Sequence, residues 1–173
     1  AFFGLPGHQL FAGTWNSRDF DSLREAYIEY PNVVIPQTAG SWSLFWNCDQ
    51  YLIVDSRNPL RGWGVFGRAG IADANTSPLS WFLSFGIGGS GPLESRPQDT
   101  FGVGWYYAGT SNHIGPILET VVGPVGDGQG VELFYNYQLA PSIHLTPDLQ
   151  VIVPAREYID PALVLGLRAN MSF

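Results

Sequence analysis

The chain has 173 residues, of which 45% are hydrophobic and 14% aromatic but only 13% charged, against about 25% charged in ordinary soluble domains. The 21 glycines and 13 prolines argue against a helical bundle, and a formal charge of −7 without a single lysine argues against a nucleic-acid partner. Cys48 stands alone, which excludes an intramolecular disulfide framework or a cysteine-rich metal site. No apolar run approaches the ~18 residues of a membrane-spanning helix. Two uses for so much apolar surface remain: a large soluble core, or a β-barrel that faces lipid.

The first predicted strand, His8–Asn16, is the weakest. The stretch Ser17–Gly40 is predicted as the longest loop, and within it DFDSLREAYIEY (Asp19–Tyr30) has the acids and the amphipathic spacing (Phe20, Leu23, Tyr27, Ile28) of a short capped helix. Folded inward it would form a constriction; otherwise it caps the mouth. Ser41–Asp55 and Ser80–Ser90 are aromatic-rich strands with blurred faces, and between them Gly62–Asp73 sets Trp63, Val65, Ala69 and Ile71 against Phe66, Arg68 and Ala72. Asp99–Thr110 puts Phe101, Val103, Trp105 and Tyr107 opposite Gly102, Gly104, Tyr106 and Ala108. A second long connector, Thr110–Gln129, follows. Gly130–Ala140 sets Val131, Leu133, Tyr135, Tyr137 and Leu139 against Glu132, Phe134, Asn136 and Gln138. Ile143–Val153 sets Leu145, Leu149, Val151 and Val153 against His144, Thr146, Asp148 and Gln150. The clearest alternation is the last, Ala162–Phe173, where Leu163, Leu165, Leu167, Ala169, Met171 and Phe173 share a face. A period of two over such a length is a strand, and it suits a tilted membrane strand of roughly 9–11 residues.

The sequence thus predicts an all-β, antiparallel fold of about eight strands, read as one segment over residues 1–173. Connectors alternate imperfectly between short and long, as in outer-membrane barrels. A soluble sheet would turn many charged residues to water; here the face opposite the apolar one carries mostly Gly, Ala, Ser and Asn with an occasional Arg or Glu. Trp42, Trp63, Trp81, Tyr106, Tyr107 and Tyr137 lie near strand ends, where an interfacial girdle would put them. The terminal Phe173 on an alternating strand is the signal read by the barrel-assembly machinery, so that machinery and outer-membrane lipid are expected partners. Ala1 opens directly on apolar residues and the single methionine is Met171, so a processed chain or a fragment is expected.

Several segments carry a family resemblance: RGWGVFGRAGIADAN (Arg61–Asn75), SWFLSFGIGG leading to RPQDTFGVGWYYAG (Ser80–Gly109), GVELFYNYQLAP (Gly130–Pro141), LTPDLQVIVPA (Leu145–Ala155) and LVLGLRANMSF (Leu163–Phe173). Together, and in this order, they resemble the C-terminal half of an OprB-type carbohydrate-selective porin. The resemblance implies an outer-membrane barrel of about sixteen strands that passes glucose and related small hydrophilic solutes by passive diffusion. It also implies that this chain is half of that barrel.

Catalysis is not expected. Gly86-Ile-Gly-Gly-Ser-Gly91 matches a dinucleotide-binding pattern, but a turn follows it where a helix is required. His8, His113 and His144 have no metal-ligand spacing, and Ser111 beside His113 lacks a nucleophile elbow. No cofactor or metal is expected. The constellation with chemistry is the polar set placed by alternation toward the lumen: Arg68, Glu132, Asn136, Gln138, Asp148, Gln150, Arg168 and Asn170. Planar donors and acceptors at several heights suit neutral, hydroxyl-rich sugars, and weak repeated binding permits release. The competing reading is a wall network in which Arg68 and Arg168 pair with Glu132 and Asp148. The alternative function is a small structural or adhesive outer-membrane barrel with a plugged lumen.

Overall fold

A computed structural model describes residues 4–58, 61–91, 93, 95–114 and 123–172. Among them are ten strands and no helix: β1 (Gly7–Asp21), β2 (Tyr27–Glu29), β3 (Asn32–Val34), β4 (Gln37–Val54), β5 (Gly62–Ala72), β6 (Leu79–Ser90), β7 (Thr100–Thr110), β8 (Gly128–Ala140), β9 (Ile143–Val153) and β10 (Ala162–Met171). Eight of these form one sheet in the order β1-β4-β5-β6-β7-β8-β9-β10, every pair antiparallel. The expected all-β meander is present, but the sheet does not close on itself. Among the described residues, β1 and β10 each have one strand neighbour and one open edge.

The helix expected over Asp19–Tyr30 is absent. Instead β1 continues to Asp21 against Gln37, and Tyr27–Glu29 pairs with Asn32–Val34 in a separate hairpin. An isolated helix this short is marginal in water, whereas extending the β1–β4 ladder pairs backbone groups that already lie side by side. The ladder shifts register between Asn16 and Asp19. Gly40, at φ +89°, takes the left-handed turn there that a side chain disfavours. The expected loop Ser17–Gly40 is therefore largely strand.

Because side chains alternate along each strand, the registers sort the sheet into two faces. One carries Phe11, Trp46, Val65, Leu83, Val103, Leu133, Leu149 and Leu165 on adjacent strands. Aromatic rings cluster on it: Trp81 stacks on Tyr107 at 4.9 Å and Phe85 lies 5.2 Å from Trp105. Among the described residues no hydrophobic side chain is fully buried; Leu165 is 78% exposed and Phe11 74%. A single sheet has no second layer to cover its apolar face, so the cover must come from outside.

The fully buried side chains are polar, Ser22, Asp99 and Ser111, and they tie connectors together. At the end of the sheet where β5 meets β6, the Ser22 hydroxyl donates to Asn75 Oδ1 (3.1 Å), which also accepts the Arg24 amide (2.8 Å). The Ser111 hydroxyl donates to the Ala74 carbonyl. One short turn thus holds the segments that follow β1 and β7. Asn75→Ala removes the acceptor shared by two donors. It is expected to leave the sheet intact while raising amide hydrogen exchange at Arg24 about two- to tenfold, as loss of one hydrogen bond implies.

At the opposite end the β6–β7 connector is clamped to β8. Asp99 accepts from Arg96 Nε (2.5 Å) and Nη2 (3.1 Å), from the Tyr135 hydroxyl (2.8 Å) and from the Gln138 amide (2.9 Å). Arg96 also donates to the Gln138 carbonyl (2.7 Å) and lies 3.6 Å above the Tyr137 ring. The Arg96 hydrogen bonds, aided by the Gln138 amide and the Tyr135 hydroxyl, hold the Asp99 carboxyl at about 2 against the opposing effect of burial. The same pair raises the Arg96 guanidinium.

Candidate functional site

The registers place all eight predicted polar residues on the face opposite the apolar one. Arg68 on β5 stands across from Asn47 on β4 and Ser84 on β6, and Ser84 stands across from Tyr106 on β7. In the next row Glu132 lies between Gly104 and Gln150; in the one after, Asp148 lies between Phe134 and Gly166. Farther along, Asn136 faces Thr100, Gln138 faces His144, and Arg168 and Asn170 stand beside Thr146 and His144.

Hydrogen bonds join only part of this set. Gln150 Nε2 reaches Glu132 Oε1 at 3.4 Å and Asp148 Oδ1 at 3.3 Å, and the Thr146 hydroxyl donates to Asn136 Oδ1 at 3.2 Å. These are long contacts on exposed or half-buried groups. The expected pairing of Arg68 and Arg168 with Glu132 and Asp148 does not form. Among the described residues the ion pairs are His8–Asp49, Arg61–Asp55 and Arg96–Asp99. Three strand spacings of ~4.8 Å separate β5 from β8, so Arg68 and Glu132 are out of reach of each other across the sheet. Both guanidiniums are left exposed, with their donor forks open to the polar side.

A cavity of about 430 Å³ lies on the polar face, lined by Phe66, Arg68, Phe82, Ser84, Tyr106, Glu132 and Gln150 among others. It brings together Arg68, Glu132 and Gln150 with the rings of Phe66, Phe82 and Tyr106, and Trp105 also borders it. Its place near a strand end makes Tyr106 a candidate for the interfacial girdle. Its register opposite Ser84 and Gly130 turns it to the polar face, while its neighbours Trp105 and Tyr107 stay on the apolar one. Phe82 stacks on it, centroids 6.3 Å apart and planes 17° from parallel. The signal that would have found these rings is the glycine opposite each, visible only once the strands are paired.

The arrangement offers donors, acceptors and aromatic faces, and no preorganised nucleophile and base. Among the described residues no group of His, Cys, Asp and Glu is placed to hold a metal ion.

The family model described as carbohydrate-selective porin, OprB family, matches residues 3–173. A protein named putative porin QuiX, from Acinetobacter baylyi, is 25% identical over 198 residues, covering 99% of this chain and 42% of that protein. The high-pH structure of Pseudomonas putida OprB superposes with a TM-score of 0.85 at 19% identity, over 98% of this chain and 45% of the other. The chain therefore spans less than half the length of these relatives. Its match to the family model is nearly end to end, and it belongs to the OprB family of carbohydrate-selective porins, proteins of the Gram-negative outer membrane.

Proposed function

We propose that this chain forms about half the wall of a porin through which small neutral sugars such as glucose diffuse passively. The observation that carries the reading is the division of the sheet into two faces, with the aliphatic row Ile87, Val103, Leu133, Leu149 and Leu165 on one side and all eight polar candidates on the other. Turned outward, the apolar face meets hydrocarbon; turned inward, the polar face meets water. The open edges at β1 and β10 support the half-wall reading. Lipid offers no partner for unpaired backbone groups, so further strands must complete the ladder. Phe173, the expected signal to the assembly machinery, lies outside the described residues.

The test uses the full-length gene product that contains this chain, refolded into liposomes. Glucose is expected to swell them faster than protein-free liposomes, and a preparation that inserts but stays impermeable would leave the plugged, structural barrel instead. Within the permeable protein, Arg168→Ala removes from the polar face a donor fork that has no partner among the described residues. It is expected to weaken glucose block of ion current about two- to fivefold, the loss of one hydrogen bond to a solvated partner, or to shift the cation-to-anion permeability ratio. A variant unchanged in both measurements would take Arg168 out of the sugar path.

A further inference from the structure

On the apolar face β5 differs from its neighbours. It presents Val65, Gly67, Ala69 and Ile71 in turn, and among the described strands it alone sets two glycine or alanine residues in succession there. Leu44 and Trp46 stand beside it on β4, and Leu83 and Phe85 on β6. The β6 bank continues as a chain of rings: Phe85 lies 5.2 Å from Trp105, Trp105 5.9 Å from Tyr107, and Tyr107 4.9 Å from Trp81. The β4 bank is backed by Phe11, stacked on Trp46 at 6.1 Å.

Small residues between large ones make a groove. Two cavities of about 600 and 570 Å³ lie on this face and meet at Trp46 and Leu83, with Ala69 on the floor of one and Gly67 on the floor of the other. From Gly67 to Ile71 the floor runs about 13 Å along the strand, close to the ~15 Å of hydrocarbon in one leaflet. The banks on β4 and β6 stand two strand spacings apart, about 9.6 Å. Less the bulk of their side chains, that leaves the width of one hydrocarbon chain. The Leu44–Ile71–Trp81 end of the groove points to the connectors 22–36 and 111–127, the longest of the sheet. Long loops mark the extracellular side of an outer-membrane barrel.

From this geometry we infer, resting on the outward orientation of the apolar face proposed above, that the groove along β5 seats one saturated acyl chain of the outer-leaflet glycolipid. Family membership places the protein in the Gram-negative outer membrane, so hydrocarbon is what covers this face. Lipid tails are as apolar as leucine, so a chain is selected here by contact rather than by escape from water. Each carbon held off the glycine and alanine floor forfeits its dispersion contacts. A straight saturated chain reaches the floor along its whole length and meets rings on both banks. A chain bent by a cis double bond leaves part of the groove empty. The groove therefore holds one lipid in place while its neighbours on the smoother parts of the wall exchange.

The test uses the full-length gene product, extracted from outer membranes in a mild detergent and weighed intact with its bound lipid by native mass spectrometry. One lipopolysaccharide molecule per protein is expected. Ala69→Phe fills the groove and is expected to lower that occupancy about three- to tenfold, the loss of several carbon–wall contacts. Val151→Phe places the same ring on the same face outside the groove and is expected to keep the lipid. Ala69→Leu repeats the measurement should Ala69→Phe not fold, folding being read from heat-modifiable gel migration. Unchanged occupancy in a folded Ala69 variant, equal losses in the Ala69 and Val151 variants, or a phospholipid in place of the glycolipid would overturn the groove. Liposome swelling separates this inference from the porin reading. A protein that passes glucose but retains no lipid overturns the groove alone, and one that retains the lipid but passes no glucose overturns the porin reading alone.

Discussion

Leu133→Arg is expected to destabilise the protein in lipid vesicles by about 2–4 kcal/mol, the cost of a cation near the midplane of a barrel's lipid face. Leu133 lies near the middle of β8, between Val103 and Leu149, and is 50% exposed. Glu132→Arg, one residue away on the other face, gives up only the long contact with Gln150 and is expected to cost no more than about 1 kcal/mol. It should act on ion selectivity instead. Urea unfolding in vesicles at equilibrium measures both. The pair tests orientation directly, because a sheet with Leu133 inward would give the larger loss at neither position or at Glu132.

Asp99→Asn is expected to cost about 2–3 kcal/mol, since it removes the charge that holds four donors while leaving Arg96 without its anion. The pH dependence has a definite sign. The carboxyl sits at about 2 in the folded protein, below its ordinary 3.8. A depressed carboxylate adds stability that is fully present above the unfolded value and is lost as pH falls through the folded one. The wild type should therefore weaken between about pH 4 and pH 2, and Asp99→Asn should lack that step. A wild type whose urea midpoint stays flat across this window would remove Asp99 from the clamp. The double variant Arg96→Met, Asp99→Leu removes both charges and should recover much of the loss.

The alternation of Leu163, Leu165, Leu167 and Ala169 against Val164, Gly166, Arg168 and Asn170 made the last strand and its two faces legible without a structure. The same rule failed at the first long connector. The bulge between Asn16 and Asp19 changes the phase of β1, and DFDSLREAYIEY has a helical spacing that the adjacent strand ladder overrides. The polar candidates could be found because alternation alone assigns them a side. The aromatic rings on the same face could not. Phe66, Phe82 and Phe134 read as breaks in the polar pattern, and Tyr106 is hidden in the run Trp105-Tyr106-Tyr107. Their partners Gly86, Gly102 and Gly130 are neighbours only across strands. The Arg96–Asp99 clamp is hidden for the same reason, because Tyr135 and Gln138 are more than thirty residues away in sequence.

The absence of any fully buried hydrophobic side chain among the described residues bears on how this chain acquires its shape. For an aqueous domain, collapse withdraws greasy groups from water and thereby drives folding. Here the finished sheet leaves Leu165 78% and Phe11 74% exposed and covers no hydrophobic side chain fully, so water rewards its assembly only in part. Hydrocarbon laid against the exposed face supplies the remainder, which ties the stability of the paired strands to the membrane around them.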